Sequence, residues 1–195
     1  MRIKSAEFVI SAVDISKAPQ TKVEIAIAGR SNAGKSSFIN FICDNKKLAK
    51  TSKEPGRTRL LNYFECNKGE FFLVDLPGYG YAKVSFDEKR RWARLLEDYF
   101  EKSKGLRHVF LVVDIRHNPT KDDIDLINYL YHYHIPFTII ATKADKLSRA
   151  AQQRQRRDIA AFLKIGTDNI ILVSSIKKTG KEAVLKKIFE IIQSA

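Results

Sequence analysis

Cysteine, proline, glycine and long apolar runs are all scarce in this sequence. Its 195 residues include two cysteines, five prolines and nine glycines, which excludes a disulfide-rich or fibrous protein. No apolar run approaches the roughly 18 residues of a membrane-spanning helix, and the N-terminal residues lack the apolar stretch of a secretory signal. We therefore expect a cytoplasmic protein with reduced thiols and no membrane contact.

Positive charge, by contrast, is in large excess. Lysine and arginine number 35 against 22 acidic residues, which leaves a formal net charge of +13. Three stretches account for the whole excess: residues 46–59 carry a net +5, and residues 146–158 and 177–187 carry +4 each. Each stretch alone is compatible with a solvated surface. Together they favour a polyanionic, phosphate-rich partner.

Short apolar segments alternate with amphipathic ones along the chain, which is typical of a parallel sheet covered by helices. We predict six strands, at residues 23–28, 61–66, 70–75, 109–114, 137–141 and 170–173. The second and third are separated only by Asn67-Lys68-Gly69, so we expect a hairpin and one antiparallel strand. The predicted fold is α/β with three layers and helices on both faces of a mostly parallel sheet. Residues 22–195 form this domain, and residues 1–21 are an N-terminal extension packed on it.

A phosphate-binding motif follows the first predicted strand. The pattern G-x-x-x-x-G-K-[ST] is matched by Gly29-Arg30-Ser31-Asn32-Ala33-Gly34-Lys35-Ser36, and Ser37 opens a helical run. In this strand–loop–helix context the backbone N–H groups can surround phosphate oxygens, and the helix N-terminus adds its positive dipole end. Lys35 would contact the β- and γ-phosphates, and the Ser36 hydroxyl would bind Mg²⁺. The motif predicts a P-loop nucleoside triphosphatase fold.

A second phosphate-side motif, Asp75-Leu76-Pro77-Gly78, follows the next parallel strand. The Asp75 carboxylate can hold a water of the Mg²⁺ shell, and the Gly78 N–H can reach the γ-phosphate. The same four residues also fit a simple turn. Their place 40 residues after Lys35 favours the nucleotide role.

A third motif, Thr142-Lys143-Ala144-Asp145, follows the strand at 137–141 and points to the base of the nucleotide. The Asp145 carboxylate can accept two hydrogen bonds from the N1–H and N2–H₂ groups of guanine, whereas adenine offers no donor at either position. The Lys143 stem can lie over the purine, and the segment Val173-Ser174-Ser175 can supply a backbone N–H to the guanine O6. The sequence therefore favours guanine over adenine.

With these motifs in this order, the chain resembles the EngB family of ribosome-biogenesis GTPases over about residues 5–193. Beside the P-loop, the resemblance is carried by Pro55-Gly56-Arg57-Thr58, by DLPGYGYA at residues 75–82, by Asp114-Ile115-Arg116-His117 and by residues 142–146. It implies a GTPase fold that binds GTP and GDP with Mg²⁺. It also implies a role in assembling the large ribosomal subunit of bacteria, with ribosomal RNA and ribosomal proteins as partners.

The same resemblance assigns roles to particular residues. It places residues 55–58 in the nucleotide-sensing loop, where Thr58 would contact Mg²⁺ and the γ-phosphate. The metal would then be held by Ser36, Thr58 and, through water, Asp75. Lys35, Thr58 and Gly78 are the predicted catalytic residues, and we expect a monomer.

Tyr79 stands where many GTPases have a glutamine that orients the attacking water. Because tyrosine has no carboxamide, we predict slow intrinsic hydrolysis with nucleotide binding intact. Ribosomal RNA, a ribosomal protein or a monovalent cation would supply the missing element. Asn32 matches the asparagine of potassium-responsive relatives, so activation by K⁺ is a further hypothesis. Arg116 could act as an arginine finger, but we predict a structural ion pair instead.

Two other functions remain open on the sequence. A signalling switch with a protein effector would use the same motifs, although such switches usually carry a lipid-anchor cysteine and this sequence ends in Gln193-Ser194-Ala195. A P-loop kinase would not need Asp145 to recognise guanine. We favour the ribosomal switch, with the hypothesis that GTP orders residues 46–59 as part of an RNA-docking surface.

Overall fold

The computed structural model describes residues 2–49, 60–80 and 86–195, with only the backbone of residues 86, 88 and 89. Its strands are Ala6–Ala12 (β1), Glu24–Gly29 (β2), Leu61–Cys66 (β3), Phe71–Asp75 (β4), Leu106–Asp114 (β5), Phe137–Thr142 (β6) and Ile170–Leu172 (β7). Its helices are Lys35–Ile42 (α1), Phe86–Lys102 (α2), Lys121–His132 (α3), Arg149–Leu163 (α4) and Lys181–Gln193 (α5). Within these described ranges, no helix combines the length and apolar character needed to cross a membrane.

The strands form one sheet in the order β1-β3-β4-β2-β5-β6-β7. Strand β3 runs antiparallel to both of its neighbours, and the strands from β4 to β7 in that order pair in parallel. The prediction of six strands is therefore wrong by one, because Ala6–Ala12 is a further edge strand. Its pattern is hard to recognise, since the neighbouring apolar residues Phe8 and Val9 are 53% and 44% exposed and the register shifts between Phe8 and Ile10.

Helices cover both faces of the sheet. Helices α2, α3 and α4 pack on one face, and α1 and α5 pack on the other. Strand β5 shows how the sequence determines this arrangement: Val109, Leu111 and Val113 join the first layer, while Phe110 and Val112 join the second. All five are buried, as expected of a central parallel strand covered on both faces. The predicted three-layer α/β architecture is confirmed.

Local signals determine where two of these elements turn or begin. The predicted hairpin between β3 and β4 is confirmed, with Asn67, Lys68 and Gly69 all at positive φ between 53° and 85°. Helix α3 begins with a capping box, in which the Thr120 N–H donates to the Asp123 carboxylate at 2.7 Å. Because the strands on either side of β2 run parallel to it, the loops that follow them gather at one edge of the sheet.

Candidate nucleotide-binding site

The P-loop consists of Gly29, the last residue of β2, and residues 30–34 before α1, and its first residue lies very close to the buried backbone of the sheet. A Cβ atom on Gly29 would lie 2.5 Å from the carbonyl oxygen of Val112 on β5, so any side chain there would collide with the neighbouring strand. Helix α1 begins at Lys35, directly after this loop. The free N–H groups of its first turn are directed back toward the loop, which makes the junction suitable for an anion.

Two residues at the end of β6 hold this P-loop in place. The Thr142 hydroxyl donates to the Ala33 carbonyl at 2.6 Å, and the Lys143 ammonium donates to the Asn32 carbonyl at 2.9 Å. Lys143 adopts a left-handed backbone conformation, with φ at 59°. The structure thus brings the predicted phosphate and base motifs into direct contact, although 109 residues separate Ala33 from Thr142.

Asp145 lies in the short turn after β6, and the loop after β7 restrains its carboxylate. The Ser174 hydroxyl donates to Asp145 Oδ1 at 2.6 Å, and the Ala144 N–H donates to the Val173 carbonyl at 3.1 Å. The Asp145 side chain is only 7% exposed, and its Oδ2 atom is 3.9 Å from the Lys146 ammonium. A carboxylate oriented in this way can accept paired hydrogen bonds from a planar N–H edge.

Lys35 and Asp75 meet between the start of α1 and the end of β4. Lys35 Nζ lies 3.9 Å from Asp75 Oδ1, and both side chains are largely buried. Burial raises the pKa of Asp75, and the charge of Lys35 opposes that shift. Among the described residues, Asp75 Oδ1 has no hydrogen-bond partner. An orphaned carboxylate oxygen, with the Ser36 hydroxyl on the adjoining helix, is a donor set that fits a hydrated Mg²⁺ ion.

Arg116 forms the structural ion pair predicted for it. Its guanidinium donates to both oxygens of Asp114, from Nε at 2.9 Å and from Nη2 at 2.7 Å. The Lys143 ammonium lies 2.9 Å from the same carboxylate. Burial alone would raise the pKa of Asp114, but hydrogen bonds from Arg116 and Lys143 outweigh it and hold the pKa well below its usual range. Arg116 therefore holds Asp114 in place, and Asp114 in turn pairs with Lys143.

Tyr79 is buried, and its hydroxyl donates to Asp123 Oδ1 at 2.6 Å. The indole N–H of Trp92 donates to the Pro77 carbonyl at 3.0 Å, and the Trp92 ring packs on Tyr79 with 5.5 Å between centroids. Sequence reasoning missed both contacts. Asp123 was recognisable as a capping residue of α3, but nothing in the spacing indicates a partner 44 positions earlier.

The remaining predicted site residues differ in how far the structure describes them. Leu76 and Pro77 are buried, Ser175 is exposed in the loop after β7, and Ser37 is exposed on α1. The predicted nucleotide-sensing segment lies outside the described residues, so its contacts stay predictions: Pro55, Gly56, Arg57 and Thr58.

Comparison with known proteins decides the family. A family profile described as "50S ribosome-binding GTPase" matches residues 24–143. The "Probable GTP-binding protein EngB" of Desulfosudis oleivorans is 48% identical over 189 residues, which cover 96% of this chain and 95% of that protein. The chain belongs to the EngB family of GTPases. The resemblance derived from the sequence motifs is thereby confirmed.

Further relatives agree with this assignment. The EngB protein of Clostridium kluyveri is 48% identical over 194 residues and covers 98% of each chain. The crystal structure of a probable GTP-binding protein EngB superimposes with a TM-score of 0.72 at 24% identity, over 89% of this chain and all of that one. Era of Aquifex aeolicus, bound to GDP·AlF4⁻, gives 0.67 at 19% identity over 88% of this chain and 57% of its own. These structures share the P-loop GTPase fold with this GTPase.

Proposed function

We propose that this GTPase binds GTP and GDP at the P-loop, hydrolyses GTP slowly, and acts as a nucleotide-dependent switch in assembly of the large ribosomal subunit in the cytoplasm. The contact that supports the nucleotide site most directly joins its two halves. Lys143, two residues before Asp145, donates to the P-loop carbonyl of Asn32 at 2.9 Å. The P-loop, with its donors for phosphate, is therefore in direct contact with the segment that carries the Asp145 carboxylate.

The base side of the site is suited to guanine. Ser174 donates to only one carboxylate oxygen of Asp145, at 2.6 Å, and thereby restrains the direction in which the group accepts further hydrogen bonds. Guanine offers adjacent N1–H and N2–H₂ donors to such a carboxylate, and adenine presents an acceptor at N1. An acceptor placed against a buried carboxylate is repelled, so the same contact that binds guanine rejects adenine.

The phosphate side supplies positive charge and a metal position. Lys35 and Ser36 would contact the β- and γ-phosphates and the metal, while Asp75 would hold the metal through water. Mg²⁺ bound there would neutralise charge that develops on the transferred phosphoryl group. The family resemblance adds Pro55 to Thr58, with the Thr58 hydroxyl as a further metal ligand, and the Gly78 N–H as a donor to the γ-phosphate.

Slow turnover follows from the environment of Tyr79. Its hydroxyl is already hydrogen-bonded to Asp123 at 2.6 Å, and the side chain is 5% exposed. In this arrangement its one polar side-chain group is engaged, and tyrosine lacks the carboxamide with which many GTPases orient the attacking water. We propose that rRNA, a ribosomal protein or K⁺ near the exposed Asn32 completes the site. Equal hydrolysis rates in KCl and NaCl would remove K⁺ from this proposal.

An RNA partner is supported by the way the fold groups the basic stretches. A groove of about 540 Å³ beside β7 is lined by Arg156 of the second stretch and by Lys186 and Lys187 of the third, together with the acidic residues Asp168 and Glu190. On the other side of α5, Lys181 pairs with Asp44 at 2.6 Å, next to Lys46 and Lys47 at the start of the first stretch. We call this surface the basic band. It comprises residues 146–158, helix α5 with the loop that precedes it, and residues 46–47.

The basic band suits a partner with many phosphates. Its exposed members include arginines of α4 and lysines on both sides of the Gly180 turn, which directly follows the loop that holds Asp145. The family profile is that of a 50S ribosome-binding GTPase. A ribosomal RNA segment is therefore the partner whose chemistry matches the surface best.

Cosedimentation with large ribosomal subunits tests the ribosomal role. Binding is measured with a non-hydrolysable GTP analogue and with GDP, for wild type and for the variants R154E/R157E and K177E/K178E, at several salt concentrations. Each lost phosphate contact should weaken binding and lower the salt dependence by about one power of concentration. Lys68→Glu, on the β3–β4 turn outside the basic band, is the matched control and should behave as wild type.

Two results would count against the proposal. Equal binding in the GTP-analogue and GDP states would remove the switch. Binding that is indifferent to salt and to all charge reversals would favour the alternative, a signalling GTPase whose effector is a protein.

A further inference from the structure

We propose that a surface on helices α2 and α3 binds a protein segment rich in lysine and arginine. We call this surface the tyrosine face, and it consists of Tyr129, Tyr133, Glu97 and Glu101. The inference goes beyond the proposed function, because the tyrosine face belongs neither to the nucleotide site nor to the basic band. It gives the chain a second kind of partner, with a charge opposite to that of RNA.

Two aromatic rings form the centre of the tyrosine face. Tyr129 lies in the last turn of α3 and is 41% exposed, and Tyr133 caps that helix and is half-buried. The two rings are parallel to within 7°, with 6.5 Å between their centroids. Tyrosine is enriched where proteins meet their partners, because its ring combines a large apolar area with few rotatable bonds.

The neighbouring residues hold these rings in place. Tyr133 packs against the core beneath α3, and the His132 ring meets it edge-on with 4.9 Å between centroids. After the helix, His134 adopts a left-handed φ of 54°, and the Ile135 N–H donates back to the Leu130 carbonyl at 2.8 Å. Because the helix end is fixed in this way, a partner that binds there pays little to order the surface.

Two carboxylates beside the rings determine the charge of the partner. Glu97 and Glu101 are exposed and lie one turn apart on α2. Burial raises the pKa of the Tyr133 hydroxyl, and the charges of Glu97 and Glu101 raise it further, so both carboxylates lie near that ring. The face of a tyrosine ring attracts a cation, and carboxylates beside the ring strengthen the attraction. Arginine and lysine side chains therefore match this surface.

The position of these carboxylates does not stabilise α2 itself. Like charges four residues apart repel each other, and the C-terminal end of a helix favours cations over anions. Helices α2 and α3 end at Lys102 and His132, and each leads into a strand that runs parallel to its neighbours. Both C-terminal ends, with their partial negative charge, therefore lie at the edge of the sheet opposite the nucleotide loops. A cationic partner would benefit from both helix ends and both carboxylates.

RNA fits the tyrosine face less well than a cationic protein segment does. Nucleic-acid bases can stack on tyrosine rings, but their phosphates would then approach Glu97 and Glu101. The surroundings add further negative charge, since residues 121–136 contain three aspartates and one lysine, whereas the whole chain carries +13. Lys102, the base that follows Glu101, pairs with Asp98. The tyrosine face is thus an acidic and aromatic area on a basic protein.

The test measures binding of a fluorescent peptide of alternating glycine and arginine to the full chain, by fluorescence anisotropy at several salt concentrations. We expect saturable binding that Tyr129→Ala weakens about two- to fivefold, the effect of one exposed contact between a cation and a ring. Tyr129→Phe keeps the ring and should bind as wild type does. The double variant E97Q/E101Q should weaken binding about two- to tenfold at low salt, and less at high salt.

Matched controls separate the tyrosine face from other exposed groups. Tyr131 is 55% exposed on the same helix, but it lies two residues from Tyr129 and therefore on another side, where its ring packs edge-on against Phe137. Tyr131→Ala should bind the peptide as wild type does. So should E7Q/E182Q, which removes two exposed carboxylates from β1 and α5. Thermal unfolding verifies that every variant folds.

Several outcomes would overturn the inference. The wild type would show no saturable binding of the arginine peptide, or would bind a peptide of alternating glycine and glutamate equally well. Tyr131→Ala and E7Q/E182Q would weaken binding as much as the changes in the tyrosine face do. A third outcome assigns the surface to RNA: Tyr129→Ala would weaken binding of a single-stranded oligoadenylate and leave binding of the arginine peptide unchanged.

Discussion

Replacing Asp145 by asparagine changes one oxygen of the base-side carboxylate to an NH₂ group without changing its shape. The side chain is 7% exposed, so water cannot readily replace what is lost. Ser174, now 2.6 Å from Oδ1, can donate equally well to the amide oxygen, and the local fold should persist. In contact with guanine, the new NH₂ group faces a donor. Loss of a charged hydrogen bond together with an unpaired buried donor lowers guanine-nucleotide affinity by about two to four orders of magnitude.

The assay is competition binding with GDP and with the xanthine nucleotide XDP. Xanthine carries a carbonyl at C2, which can accept from the asparagine amide, so Asp145→Asn should gain affinity for XDP as it loses affinity for GDP. Asp158→Asn, an exposed change of the same kind on α4, is the control and should leave both affinities alone. Unchanged GDP affinity in Asp145→Asn would refute the assignment of Asp145 to the base.

Three further predictions concern the scaffold of the site. Gly29→Ala places a Cβ 2.5 Å from a β5 carbonyl and should lower the free energy of unfolding by about 1–3 kcal/mol or more in chemical denaturation, whereas Gly166→Ala, with open space around it, should not. Burial lowers the pKa of His108 to about 4. Because its folded pKa lies below the unfolded value of about 6.5, the free energy of unfolding should fall by up to about 3 kcal/mol as the pH is lowered from 6.5 to 4. Chemical denaturation across that range should show no such fall in His108→Gln and should still show it in the exposed His132→Gln. Thr142→Val removes the hydroxyl that donates to the P-loop at 2.6 Å and should cost about 1–3 kcal/mol and weaken GDP binding, with Thr142→Ser restoring both.

Much of the fold was predictable because its signals are local. The apolar runs of the central strands and the Asn67-Lys68-Gly69 turn each reflect interactions within a few residues, and the structure confirms them. Strand β1 was not predictable in this way. Its partners lie 49 to 60 residues later in β3, and three of its five apolar residues, Phe8, Val9 and Ile10, are exposed at the sheet edge.

The candidate site likewise combines features that the sequence predicted with contacts that it did not predict. Chain spacing indicated that the P-loop, the Asp75 turn and the Asp145 turn follow parallel strands, which is enough to bring them to one edge of the sheet. It did not indicate that Lys143 would be shared between Asn32 and Asp114, because those contacts depend on how the strand ends are twisted and spaced.

By itself, the amino-acid sequence determined the order of the strands from β2 to β7, the residues that can meet a guanine nucleotide and the family to which the chain belongs, since these depend on residue type and local spacing. Only the tertiary structure decided that Tyr79 is bound to Asp123, and that two of the basic stretches share the groove beside β7. The first contact depends on how α3 packs on the sheet, and the second on α4 and α5 packing on opposite faces of it. Which side chains meet across such distances depends on the packing of whole layers, and no short segment encodes it.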